Sequence, residues 1–144
     1  MTHSTHSQRA PKPVGLYPHA RRVGNLLFLS GVGPRRPGAS ADHKDIPGVV
    51  FGADGKVASH DIEVQTLAVF DNVRSILEDA GSSWDRLVDV TVYLTDMQHD
   101  FKTYNRVWAE RFATHPSPPC RTTVEVRALP TPIAIELKCI ATVD

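Results

Sequence analysis

The sequence predicts one α+β domain, a β-sheet with two helices packed on one face. Three observations carry that expectation. Apolar residues recur at three-and-four spacing over two stretches, 61–81 and 100–115. Apolar and polar residues alternate along 87–95 and 119–126. These stretches follow one another as strands, helix, strand, helix, strands. Strand–helix–strand crossovers imply parallel neighbours, with both helices on the same sheet face. The 144 residues suffice for one core, and no repeat or linker divides them. Met1 to Pro13 is polar and reads as a disordered tail, leaving 14–144 as a single domain.

In chain order, Leu26-Leu27-Phe28-Leu29 is a run of four apolar residues stopped by Gly31, which suits a strand buried on both faces. Pro34 to Pro47 reads as loop. Val49-Val50-Phe51 and Val57-Ala58 flank Asp54-Gly55, a hairpin signal. Asp61 is placed to cap a helix whose stripe is Ile62, Val69, Phe70, Val73, Ile76, Leu77 and Ala80, with Gly81 ending it. Leu87 to Thr95 is a strand with Val88, Val90, Val92 and Leu94 on one face. A second helix starts near Asp100, carries Phe101, Tyr104, Val107, Trp108 and Phe112, and ends before Pro116. Ile133 to Val143 is the last strand.

Composition removes several function classes. Sixteen basic and sixteen acidic residues give zero formal charge, so nothing drives binding to a phosphate backbone. The apolar runs are too short to span a bilayer, and the first residues lack a signal peptide's apolar centre. With Cys120 and Cys139 alone, no disulfide framework arises, so a cytoplasmic protein is expected. Cys120 reads as a buried, inert thiol and Cys139 as core. The seven histidines stand at no metal-ligand spacing, and Gly31-Val32-Gly33 is followed by Pro34 rather than a helix. No metal site and no phosphate loop are expected.

Two helices cannot cover both faces of this sheet. Leu26 to Leu29 is apolar on both sides, and the last strand adds Ala134 and Ile140 opposite Ile133, Ile135 and Leu137. Self-association is the simplest cover. In Pro119 to Val126, residues Thr122, Val124 and Val126 point one way and Arg121, Thr123 and Glu125 the other. An Arg opening a strand after two prolines is either an edge residue in solvent or a bidentate grip for a carboxylate.

With Gly24-Asn25 through Ser30-Gly31, Gln65-Thr66, Asp71-Asn72-Val73, Val88 to Leu94, Tyr104-Asn105, Arg121 to Val126 with Leu129-Pro130, and Ile135-Glu136, the chain resembles the Rid (YjgF-like) enamine and imine deaminases. The resemblance covers about Tyr17 to Val143. It implies a chorismate-mutase-like mixed sheet, a homotrimer with clefts between subunits, and hydrolysis without an organic cofactor or metal. Tyr17-Pro18-His19-Ala20-Arg21-Arg22 and Arg35-Arg36-Pro37 look most like the 2-aminomuconate deaminase branch, which serves aromatic catabolism. Val32-Gly33-Pro34, the longer loop 38–56, and Thr123 where the wider family often has Cys are departures.

On that resemblance, Arg121 holds the substrate carboxylate and Glu136 positions water and moves protons. Taken alone, Glu136 reads first as a surface acid paired with Lys138 or Arg127, and the resemblance reverses that order. Tyr17 offers its hydroxyl to the same cleft or packs as a ring where the chain enters, Ser30 offers its hydroxyl or backbone N–H there or simply ends its strand, and Thr123 sits beside the Arg. Arg35 and Arg36 are placed to meet a second carboxylate, with Arg21, Arg22 and Arg127 as rivals. Two other readings stand beside 2-aminomuconate: a general 2-aminoacrylate or imine deaminase, and a non-catalytic trimer that binds small carboxylates as a signal.

Overall fold

A computed structural model describes residues 2–39 and 45–144, so part of the expected 34–47 loop lies outside the described residues. Helix α1 (Ile62–Asp79) forms where the apolar stripe predicts it. The Asp61 side chain accepts from the Val64 N–H, and Gly81 leaves the helix at φ 84°. Helix α2 (Met97–Phe112) starts three residues earlier than its stripe suggests. Asp96 caps it by accepting from His99 N–H, and Glu125 accepts from Met97 N–H at 2.8 Å. Phe101 of the predicted stripe stays partly exposed, and Asp100 takes the buried place instead.

The strands are β1 (Thr2–Thr5), β2 (Ala20–Val23), β3 (Leu26–Leu29), β4 (Val49–Phe51), β5 (Val57–His60), β6 (Leu87–Leu94), β7 (Cys120–Glu125) and β8 (Ile135–Thr142). Six of them form one sheet in the order β1-β2-β3-β8-β6-β7, while β4 and β5 pair as a separate hairpin. Among the described residues only β6 and β7, joined through α2, are parallel; the other pairs are antiparallel. The α1 crossover does not yield parallel neighbours as expected. Strands β3 and β6 run the same way, but β8 lies between them and is antiparallel to both. The sheet is therefore mixed.

Both helices cover one sheet face. Leu27, Leu29, Val90, Val92, Leu94, Ile135, Leu137 and Cys139 meet Val69, Phe70, Val73 and Leu77 of α1 and Tyr104 and Val107 of α2 in one core. Phe70 packs against Trp84, Trp108 and Phe112 in edge-to-face geometry. Val88 departs from the predicted face. A register shift between Leu87 and Asp89 turns Leu87 into the core and leaves Val88 exposed.

Residues 2–13 are not the disordered tail that their polarity suggests. Strand β1 pairs along β2, with Thr2 opposite Val23 and Thr5 opposite Ala20. Ser7 donates its hydroxyl to Asp79, Arg9 bridges to Asp79 and Glu78, and Ala10 is buried in the core. Buried His19 clamps the segment from the other side. Its Nδ1 accepts from Ser7 N–H at 2.9 Å and its Nε2 donates to Pro11 C=O at 2.8 Å. These contacts come from polar side chains, so hydrophobic patterning gave no sign of them.

Two further contacts set the site. Asn72 of α1 donates to the carbonyls of Gly33 and Arg35, fastening the chain after β3. Buried Gln65 accepts from Ala134 N–H and fixes the start of β8. Among the described residues the opposite sheet face has no helix. There Val23, Leu26, Phe28 and Val124 remain partly exposed, and Phe28 stands directly opposite Ile140. The run Leu26 to Leu29 is thus buried on one side only within a single chain.

Candidate active site

Strand register decides where the two chemical groups point. Arg121 stands beside Val90 and Thr123 beside Val92, so both face the helices. The Arg121 guanidinium lies 5.3 Å from the Tyr104 ring centroid and 5.0 Å from that of Trp108. This cation–π seat holds the flat group in place while its N–H edge stays available. Among the described residues no carboxylate pairs with Arg121. Thr123 shares its hydroxyl with the Tyr104 hydroxyl at 3.1 Å. Burial raises the Tyr104 pKa, with the Thr123 contact and Arg121 opposing that shift.

Glu136 takes the other face. It stands opposite Tyr93, between the core residues Ile135 and Leu137, and therefore turns away from the helices. Tyr93 in turn neighbours Val124, so Val124, Tyr93 and Glu136 form one row across three strands. Arg121 and Glu136 of one chain thus sit on opposite sides of the same sheet. No side-chain rotation brings them together.

Glu136 is half-buried, and desolvation raises its carboxyl above the ordinary carboxylate range. Neither Lys138 nor Arg127 pairs with it; Lys138 donates to the Leu29 carbonyl instead. Gly31 lets the carboxylate approach the end of β3. A Cβ on Gly31 would lie 2.8 Å from Glu136 Oε2. Gly31 also lines a cleft with Tyr17, Ser30, Pro11, Pro13 and Arg35. Gly31 thus adjoins both the Glu136 carboxylate and the cleft of Tyr17 and Ser30, while Arg121 and Thr123 belong to a separate location.

The hydroxyls here already have partners. Ser30 donates to Pro18 C=O at 2.7 Å, and the Tyr17 hydroxyl accepts from Val14 N–H at 3.3 Å. Arg35 is buried, with Lys12 C=O at 2.5 Å and Ala39 C=O at 3.4 Å as acceptors, and burial lowers its pKa. Arg36 is exposed and pairs with Asp45 at 2.8 Å.

The cysteines divide. Cys139 is fully buried, and desolvation pushes its thiol up to about 12. Cys120 was expected to be buried but is exposed, because β7 is the sheet edge and Cys120 faces away from the helices beside Asp89.

The histidines are less scattered than their spacing implies. His60 ends β5, Asp100 lies in the first turns of α2, and His99 precedes it; the three side chains meet. His60 Nε2 is 2.7 Å from Asp100 Oδ2, and His99 Nδ1 is 2.6 Å from Asp100 Oδ1. Sequence separation of about forty residues hid this cluster.

The family description Endoribonuclease L-PSP matches residues 7–143. The chain is 38% identical over 135 residues to a RutC family protein of Pyrococcus abyssi, covering 94% of this chain and 92% of that one. It is 36% identical over 137 residues to the chloroplastic Reactive Intermediate Deaminase A of Arabidopsis thaliana, covering 94% of this chain and 63% of that one. The crystal structure of E. coli TdcF with bound serine superposes with a TM-score of 0.78 at 29% identity, covering 99% of each chain. Among the described residues no helix is long and apolar enough to cross a membrane.

Proposed function

Since the chain belongs to the endoribonuclease L-PSP family, whose members include RutC and Rid proteins, we propose that it is a hydrolytic deaminase of enamine and imine carboxylates. One observation carries this reading. A rigid guanidinium without a carboxylate partner and a desolvated carboxyl without a cation are both present, on opposite sheet faces. The name of the Arabidopsis relative supports the reaction class, and the serine bound to TdcF supports a small ligand bearing a carboxylate.

The chemistry needs no nucleophilic side chain. An enamine acid takes a proton from solvent on carbon to become the iminium form of the imine. Arg121 holds its carboxylate through paired hydrogen bonds. Glu136, as carboxylate, takes a proton from water as that water adds to the imine carbon. It then returns that proton to the nitrogen, the C–N bond breaks as the carbinol hydroxyl gives its proton back to solvent, and ammonia and a 2-oxo acid leave.

Since Arg121 and Glu136 of one chain cannot meet, the proposed site is composite. Arg121 and Thr123 of one subunit face Glu136, Gly31, Ser30 and Tyr17 of its neighbour. A homotrimer supplies three such clefts and buries the helix-free face with Phe28, Ile140 and Val124. Sedimentation is expected to give a trimer at micromolar concentration. A monomer with intact activity contradicts the composite site.

The finer substrate is read from the arginines. 2-Aminomuconate carries a second carboxylate, for which Arg35 and Arg36 were the expected contacts. Arg35 is engaged by backbone carbonyls and Arg36 by Asp45. That engagement favours small monocarboxylates of the 2-aminoacrylate type, with 2-aminomuconate kept in the test panel. RNA is a poorer substrate for a chain of zero net charge. The test is ammonia release across a panel of enamine acids. Turnover of at least one member supports the proposal. Carboxylate binding at Arg121 with no turnover transfers the reading to a non-catalytic binding trimer.

A further inference from the structure

The cluster at His60, His99 and Asp100 is remote from this chemistry in role: neither Arg121 nor Glu136 takes part in it. We propose that these three residues bind one divalent transition-metal ion of the zinc class, which ties the β4–β5 hairpin to α2.

The donor set comes first. Two imidazole nitrogens and one carboxylate are the ligands of three-coordinate zinc sites that keep a fourth position open. Nitrogen donors select against calcium and magnesium, which take oxygen. The three ligand atoms already lie within 4.8 Å of one another. Zinc bond lengths of about 2.0–2.1 Å require ligand atoms roughly 3.3 Å apart in a tetrahedron. The observed contacts of 2.7 Å and 2.6 Å therefore need to open by about 0.6–0.7 Å, while the imidazoles close on each other. His99, with 66% of its side chain exposed, has room to make that adjustment.

Charge supports the same assignment. The Asp100 side chain is wholly buried, and both its oxygens are taken by imidazoles rather than by Lys or Arg. A buried carboxylate needs a compensating cation close by. On binding, each imidazole takes the metal through the nitrogen now directed at Asp100; a neutral ring carries its proton on the other nitrogen, and a protonated ring releases one to solvent. The fourth position opens toward solvent beside His99.

Geometry also defines the consequence. His60 closes β5 immediately before the Asp61 cap of α1, and Asp100 lies in the N-terminal turns of α2. The hairpin is a two-stranded sheet on its own, the least stable kind of β-structure. A metal bridge from His60 to α2 fastens it to the helical layer.

The experiment uses full-length protein stripped with a chelator and titrated with Zn(II) by calorimetry, with Co(II) absorption as a second probe of a nitrogen–oxygen site. One equivalent per chain is expected, with a rise in melting temperature. His99→Gln and His60→Gln should each weaken binding by about 100-fold or more, since even outer-shell changes cost about 10–100-fold. A His3→Ala/His6→Ala variant removes the N-terminal imidazoles and should bind as wild type. Absence of saturable binding, or a loss below about ten-fold in folded His99→Gln, overturns the site.

Discussion

Glu136→Gln is expected to lower kcat by about 10²–10⁴-fold while a carboxylate analogue still binds with near wild-type affinity. The substitution keeps the shape of the side chain beside Gly31 but removes the group that exchanges a proton with water. Arg121 is untouched, so ground-state binding survives. The pH profile gives an independent readout. Burial raises the Glu136 pKa, so the basic form is reached only above the ordinary carboxylate range. Wild-type kcat should rise with pH through that raised value, and the limb should vanish in Glu136→Gln. Unchanged turnover and an unchanged profile would reduce Glu136 to a half-buried acid without a role.

The second large effect belongs to Arg121. Arg121→Ala should cost about 2–5 kcal/mol in kcat/KM, as expected when one member of a desolvated charge pair is lost. Arg121→Lys keeps the charge but loses the planar fork and the stacking on Tyr104 and Trp108, so it should recover only part of the loss. The fold should stay intact, because β7 is an edge strand and Arg121 donates to no internal carboxylate among the described residues. Circular dichroism and the melting temperature check that point. Wild-type kcat/KM in Arg121→Ala would remove the carboxylate anchor.

Much of this arrangement was legible because periodicity reports burial directly. The stripe from Ile62 to Leu77 and the Asp61 cap gave α1, and alternation gave β6, β7 and β8. Alternation also put Arg121 with Thr123 and set Glu136 against Ile135 and Leu137. It did not show that Arg121 and Glu136 oppose each other across the sheet. That follows from the β6/β7 and β6/β8 registers, which join residues far apart in sequence. Strands β1 and β2 escaped notice for a different reason. Their order comes from backbone pairing and from polar clamps such as His19 with Ser7, which leave no apolar pattern. The resemblance supplied the role of Glu136, whose residue type alone favoured a surface acid; for Tyr17 a packed ring and a cleft hydroxyl were equal readings.

The composite site is the central claim, and subunit mixing tests it directly. Arg121→Ala and Glu136→Gln proteins, each nearly inactive, are combined in equal amounts, dissociated, reassembled and assayed for ammonia release. In a cyclic trimer, random assembly gives about a quarter of the clefts an intact Arg121 from one subunit and an intact Glu136 from its neighbour. The account predicts recovery of about a quarter of wild-type activity on that basis. Confirmed subunit exchange with no recovery above the two parents would contradict it.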